Sequence, residues 1–302
     1  MTVITAPEVD ISSLFPKSNP WILATIVSTR GGSGKTTCTA LLGLYNSYKR
    51  IPTILIDTDR DSALTNIIMA TGRLKDRISP NDKSIRPSLA DVINAYQAND
   101  DVMGVFQKSL TTSDAYPDDN TLLLLPSDHR MKNIDFDAEL REAFLKTIQY
   151  LVENGPALYG PRIVLIDPSN HPLSIECALR AVGNRPRGGA FVTFPTQTSA
   201  IPATQGTKKM VADFQVKMLG FIPVRWGGSQ KYTDFITSIR SRGGSVLTGI
   251  KHSGKIQAPF HLWAISNKFP KEFAYPVNEM TRCLLPGFPA EPPIVASSPA
   301  TE

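Results

Sequence analysis

Cysteine is scarce in this sequence. Its 302 residues include three, Cys38, Cys177 and Cys283, set far apart and without any Cys-x-x-Cys spacing, which argues against a disulfide framework and against a zinc site. They read as reduced thiols of a cytosolic protein. The four histidines, His129, His171, His252 and His261, also lack metal-ligand spacing, and most read as structural. Long apolar runs are missing too. Nothing approaches the roughly 18 residues of a membrane span, and the N-terminus has no basic-then-apolar leader. Neither a membrane anchor nor secretion is expected, and the chain reads as one that stays inside the cell. No internal repeat is visible, and no one sign of charge is in large excess. Lys and Arg number 32 against 27 Asp and Glu, a net charge of +5, which permits contact with nucleic acid or an acidic partner without demanding either.

What is present is an ordinary globular composition, 41% hydrophobic and 20% charged, sufficient for one large α/β domain or two small ones. Residues 1–20 carry prolines and little periodicity, and read as a leader lying over the surface. From Pro286 to Glu302 the sequence is rich in Pro, Ala and Ser, which suits a flexible tail. Residues 21–285 between them are expected to form the folded domain. There, short apolar runs alternate with segments of helix length. Trp21–Val27, Thr53–Ile56, Leu122–Leu125, Ile163–Ile166 and Ala190–Phe194 lack polar alternation, as strands buried on both faces do. Ala40, Leu41, Leu44 and Tyr48 share one face of a helix after the first run. The fold class that follows is α/β: a doubly wound, mainly parallel sheet with helices on both faces.

Such folds bind ligands at the carboxyl ends of their strands, and the first run leads into "STRGGSGKTT", Ser28 to Thr37. This is a phosphate-loop pattern in which Thr29 stands where the usual spacing asks for the first glycine. Gly31, Gly32 and Gly34 let the backbone fold closely around phosphates, with Ser33, Lys35, Thr36 and Thr37 completing the expected nucleotide-binding set. Lys35 would hold the β- and γ-phosphates of ATP, and the Thr36 hydroxyl would bind Mg²⁺. The bland alternative is a glycine-rich turn with no ligand, disfavoured by the strand before it and the helix pattern after it. Asp57 and Asp59 end the second run, and Asp167 ends the fourth, where a carboxylate is placed to hold a Mg²⁺ water shell. Each acid taken singly could equally be a helix cap or a turn former.

The order of these motifs resembles the ParA/MinD-type deviant Walker ATPases of the P-loop NTPase class, above all the ParA partition ATPases. The matching stretches are "RGGSGKTT" (Arg30 to Thr37), "DTDRD" (Asp57 to Asp61), "SLADVI" (Ser88 to Ile93), "LLLLPS" (Leu122 to Ser127), "LIDPSN" (Leu165 to Asn170), "FPTQTSAIPATQG" (Phe194 to Gly206) and "GIKHSGKIQAPF" (Gly249 to Phe260). The resemblance implies an ATP- and Mg²⁺-dependent, slow, partner-stimulated ATPase that closes as a homodimer on ATP. It places Arg30 where the family has a signature lysine reaching the partner's phosphates, so Arg30 either acts across the dimer or only fills the turn. Relatives that position protein cargo, such as carboxysome-distributing ATPases, include members without that lysine. The resemblance also makes Asp59 the acid that orients the attacking water, Asp57 a support of the metal shell or the switch, and Asp167 the Mg²⁺ acid. Arg60 and Asp61 replace the family's proline and glutamine, which loosens the reading of that loop.

Non-specific binding of double-stranded DNA is a further property the resemblance implies. Lys251 and Lys255 are its best candidates, with Arg240 and Arg242 beside them, and a solvated basic face is the alternative. Lys208 and Lys209 read as plain helix surface. A ParB-like or cargo adaptor is the expected partner, the cell interior and nucleoid the expected location, and the 70–120 region, including Arg73 to Pro87, an inserted surface loop that could meet the adaptor. Competing readings are a MinD-like membrane positioner, for which the proline-rich tail lacks a basic amphipathic helix, a nitrogenase-type reductase or metal carrier, for which Cys177 lacks a paired cysteine, and a nucleotide-binding adaptor without turnover.

Overall fold

A computed structural model of the chain describes residues 10–18, 20–59, 61–70, 87–112, 121–195, 201–224, 230–241, 244–250 and 269–291. Its centre is a seven-stranded sheet in the order β3-β4-β2-β5-β1-β6-β7. The strands are β1 Trp21–Val27, β2 Thr53–Asp57, β3 Thr111–Thr112, β4 Leu122–Leu125, β5 Arg162–Asp167, β6 Gly188–Pro195 and β7 Met218–Val224. All neighbouring pairs are parallel except β3 with β4, an antiparallel edge.

The apolar runs behave as strands buried on both faces must. Along β1, Trp21, Leu23 and Val27 enter one core cluster, while Ile22, Ala24 and Ile26 enter the other, because successive side chains of a strand point to opposite faces. The first cluster is closed by α3 Leu89–Gln97, α4 Val102–Ser109, α5 Ala138–Tyr159, α6 Pro172–Val182, α7 Ile201–Asp213 and α8 Gln230–Ser241. The second is closed by α1 Lys35–Tyr48, α2 Ala63–Ala70 and α9 Lys271–Leu284. Helices therefore cover both faces of a mainly parallel sheet, as expected. Strand β1 lies between β5 and β6, so the chain leaves it toward β2 on one side and later crosses from β5 to β6 on the other. The loop after β1 thus sits at the switch point where such sheets open a crevice.

Several expectations need correction. Strand β7 was not among the apolar runs, because Gly220 and Pro223 interrupt it; it forms by parallel pairing with β6. Tyr48 is exposed at 42%, whereas Ala40, Leu41 and Leu44 are buried. The 70–120 region is no surface loop over 88–109: Ser88 opens α3 with a reciprocal capping box to Asp91, and Leu89, Val92, Ile93 and Phe106 are buried. The segment 71–86 lies outside the described residues. The tail from Pro286 is anchored at its start. Phe288 is buried, Glu291 accepts a hydrogen bond from Tyr45 at 3.0 Å and pairs with Lys49 at 2.5 Å, and Asn278 bridges to the backbone of Pro289 and Glu291. Cys38 and Cys177 are buried and free.

Candidate functional site

Gly34 is the N-cap of helix α1; its backbone is left-handed at φ 84°, and no side chain caps the helix. No acidic residue occupies its first turn, so the amides and positive dipole end face the crevice without a built-in anion. Gly32 is also left-handed at φ 65°, a conformation that costs a side-chain-bearing residue about 1 kcal/mol or more. A Cβ at Gly31 would meet Asn170 Nδ2 at 2.9 Å, the mobile end of an exposed side chain. Thr29, in the place of the usual first glycine, does not adopt a positive φ. Its amide donates to Thr207 Oγ1 at 3.1 Å and its hydroxyl to the Ala203 carbonyl at 3.3 Å. The loop is thereby tied to α7; the amide bond is open to any residue other than proline, and the hydroxyl bond is one that glycine could not make. Ser33 is buried and accepts from Thr193 Oγ1 on β6 at 3.4 Å, while Thr36 and Thr37 are half-buried at the start of α1. Arg30 is half-buried in the loop.

Three charged groups converge behind the loop. Lys35 is 7% exposed, and burial holds its ammonium below the usual lysine range against the opposing pull of Asp167 and Asp59. Parallel register sets Asp57 beside Asp167, both fully buried. Burial, and then the charge of Asp57, pushes Asp167 up to about 7, with Thr36, Lys35 and Thr39 pulling the other way. Thr39 shares its hydroxyl proton between Asp167 Oδ1 at 3.1 Å and the Lys35 carbonyl at 3.1 Å. Asp167 Oδ2 is buried with no hydrogen-bond partner. A buried carboxylate oxygen left in this state, close to the Thr36 hydroxyl and an uncapped helix, fits a hydrated divalent cation with phosphates better than it fits a purely structural role.

Asp57 is engaged differently. Its Oδ1 accepts from the Asp59 amide at 3.0 Å, and its Oδ2 from the Thr65 amide at 2.8 Å and the Thr65 hydroxyl at 2.6 Å. Burial still outweighs these bonds and raises it to about 6. Of its two expected roles, support of the switch loop is the one this geometry favours. Asp59 is half-buried; its carboxylate accepts from the Asp61 amide at 3.1 Å and its carbonyl from Ser62 at 2.9 Å. It is thus a turn former at the edge of the crevice that also reaches Lys35 electrostatically.

Thr39, Thr58, Thr65, Ser127 and Asn170 were not singled out from sequence, and Thr29 was noted only as the residue in the first glycine's place. Thr58 donates its amide and hydroxyl to the Asp167 carbonyl at 3.1 and 3.0 Å. Only Thr39, one helical turn after Lys35, had a local signal; the others meet the site through sheet register and loop contacts. Of the basic residues expected to touch DNA, Arg240 is exposed at the end of α8, and Arg242, Lys251 and Lys255 lie outside the described residues. Lys208 and Lys209 are exposed on α7. His171 caps α6 through Nδ1, accepting from the Leu173 amide at 3.4 Å. Among the described residues no group of His, Cys, Asp and Glu forms a metal cluster, and no helix is long and apolar enough to cross a membrane.

A glycine loop at the switch point of a parallel sheet, with a buried lysine and strand-end carboxylates converging on an uncapped helix, defines a nucleotide-binding protein of the P-loop class. The family is equally plain. A family model described as CbiA, the CobQ/CobB/MinD/ParA nucleotide binding domain, matches residues 24–260, and the chain belongs to that family. No curated protein matches the chain significantly. Solved structures do. Apo McdA from Cyanothece is similar with a TM-score of 0.64 and 18% identity, over 87% of this chain and 99% of that one. A putative plasmid partition protein from Borrelia burgdorferi bound to AMPPNP gives 0.61 and 17%, over 88% and 99%. Cobyrinic acid a,c-diamide synthase from Mycobacterium smegmatis with bound ADP and magnesium gives 0.56 and 18%, over 81% and 93%. At these identities the likeness speaks for the fold.

Proposed function

We propose that the chain is a ParA-like, Mg²⁺-dependent ATPase. It closes as a homodimer on ATP, binds double-stranded DNA non-specifically, and through a ParB-like or cargo adaptor distributes a plasmid, chromosome or large protein cargo along the nucleoid. The observation that carries the ATPase reading is the buried Asp167 Oδ2, unpartnered beside Thr36 and Lys35. The positioning role is supported by likeness of fold: partition proteins and McdA are among the structures of similar fold.

Gly31, Gly32, Ser33, Gly34 and the first amides of α1 would cradle the phosphates, and Lys35, Thr36 and Thr37 would complete that set. Thr36 and Asp167 would hold Mg²⁺, which supplies charge neutralisation of the phosphates when bound. Lys35, already desolvated, offers its charge at low dielectric cost to a phosphoryl group. Asp59 orients the attacking water from the turn it builds, and Asp57 steadies that turn. Arg30 meets phosphates of a second copy across the closed dimer, where its planar fork suits an anion. Weak basal turnover stimulated by an adaptor fits a switch whose purpose is opening and closing.

The test is duplex-DNA binding at fixed salt with ATP, ADP or no nucleotide, beside ATP turnover, for the native chain and Arg30→Ala. Binding confined to the ATP state and weakened about tenfold or more in the variant is expected. Turnover with no DNA binding in any state would replace this reading by a switch acting on a protein partner. Absence of turnover under all conditions would overturn the ATPase itself.

A further inference from the structure

The loop that carries Asp59 is held by a second set of bonds from outside the phosphate loop. Thr65, on the first turn of α2 and only 7% exposed, donates its hydroxyl to Asp57 Oδ2 at 2.6 Å while its amide donates to the same oxygen at 2.8 Å. The same hydroxyl accepts from the Ser127 amide at 3.1 Å, at the end of β4. Ser62 closes the ring: its hydroxyl donates to the Ser127 carbonyl at 3.2 Å, and its amide donates to the Asp59 carbonyl at 2.9 Å. The turn of Asp59 is therefore clamped between the ends of β2 and β4, through one hydroxyl that is donor and acceptor at once.

We infer that Thr65 is a positioning residue for hydrolysis, setting the place of Asp59 by joining Asp57 to the Ser127 loop. The inference rests on the ATPase reading above. A group that orients water must be held to within about half an ångström, and such precision comes from supporting hydrogen bonds of this kind. Thr65 touches none of the expected phosphate-binding residues through these bonds, so its loss bears on turnover and spares nucleotide binding.

The experiment compares kcat, KM for ATP and melting temperature of the full chain with those of Thr65→Val and Thr65→Ser. Valine keeps the shape and removes the hydroxyl; serine keeps the hydroxyl. Expected are a fall in kcat of about tenfold or more in the valine variant, KM within about threefold, and recovery of most of kcat in the serine variant. A kcat within about twofold of the native chain in the valine variant overturns the inference. So does a parallel loss of kcat and ATP affinity that serine does not restore, which marks a merely structural threonine. If the valine variant does not fold, Ser62→Ala decides: a lowered kcat at unchanged KM supports the clamp, and an unchanged kcat overturns it. A native chain without ATP turnover would instead strike the ATPase reading.

Discussion

Asp167 concentrates the chemistry of the molecule in one atom. A carboxylate with no exposed surface and one oxygen unpartnered is costly to ionise, and a sequence chosen for stability alone would not keep it. Replacing it by asparagine keeps the size and the acceptor for Thr39 while removing the buried charge. Asp167→Asn is expected to abolish Mg²⁺-dependent turnover without raising the urea midpoint of the nucleotide-free protein at pH 7, because the relief of one buried carboxylate is offset by the loss of the charge that faces the buried Lys35 ammonium. A midpoint raised by about 1 kcal/mol or more would show that Lys35 does not depend on Asp167 for its charge. Thr29 carries a different lesson at this scale. The motif's missing glycine is no defect, since its backbone avoids positive φ and its polar groups serve α7.

Helix α3 depends on an ionic clasp. Arg130 reaches Asp91 Oδ2 at 2.6 Å and Asp128 Oδ2 at 2.6 Å, and Ser88 donates to Asp128 at 2.7 Å, so the start of α3 is tied to the segment after β4. The Arg130 guanidinium holds the Asp91 carboxyl below the usual range. For Asp128 burial pushes upward, but its bonds from Arg130 and Ser88 prevail and the carboxyl is again lowered. A depressed carboxylate contributes stability that is present above its unfolded value near 4 and lost as pH falls through the lower folded value. Arg130→Ala is expected to cost roughly 1 kcal/mol at pH 7, a figure reduced for the clasp's partial exposure. The gap to the native chain should close as pH falls below about 4. Urea unfolding of both chains at pH 7 and near pH 3 checks this, and a gap that stays constant with pH would assign the loss to packing. The capping box joins residues only three apart, yet the region reads from sequence as a surface loop; the clasp has no local signal at all, since Arg130 lies 39 residues from Asp91.

Across the whole molecule, the two ends of α1 separate function from stability. Its N-terminus faces the crevice, and its C-terminus receives the chain after α9, where Lys49 and Tyr45 hold Glu291 and Phe288 is buried. The helix's 14 residues put roughly 20 Å between these ends. A chain ending at Leu285 is therefore expected to lose about 2–3 kcal/mol of stability, chiefly the burial of Phe288, while keeping native ATP turnover per folded molecule. Thermal unfolding and turnover at 25 °C measure the two separately. Turnover lost together with stability would mean that the clasp reaches the nucleotide site.

By itself the sequence determined the parallel sheet, because uninterrupted apolar runs can be satisfied only by burial on both faces, and it determined the phosphate loop, because Gly-Lys-Thr between strand and helix has one economical use. It also put Asp57, Asp59 and Asp167 at the ends of strands. Tertiary structure alone decided how those acids differ: that Asp57 is consumed by Thr65 and the Asp59 amide, that Asp167 retains an unpartnered oxygen, and that Thr29, Thr58, Thr65 and Ser127 belong to the site. It also decided that β7 exists and that residues 286–291 are clasped by α1 and α9. The physical reason is the same throughout. Periodicity and local spacing act within a few residues along one element, whereas these bonds join groups brought together by strand register across the sheet, which no local pattern encodes.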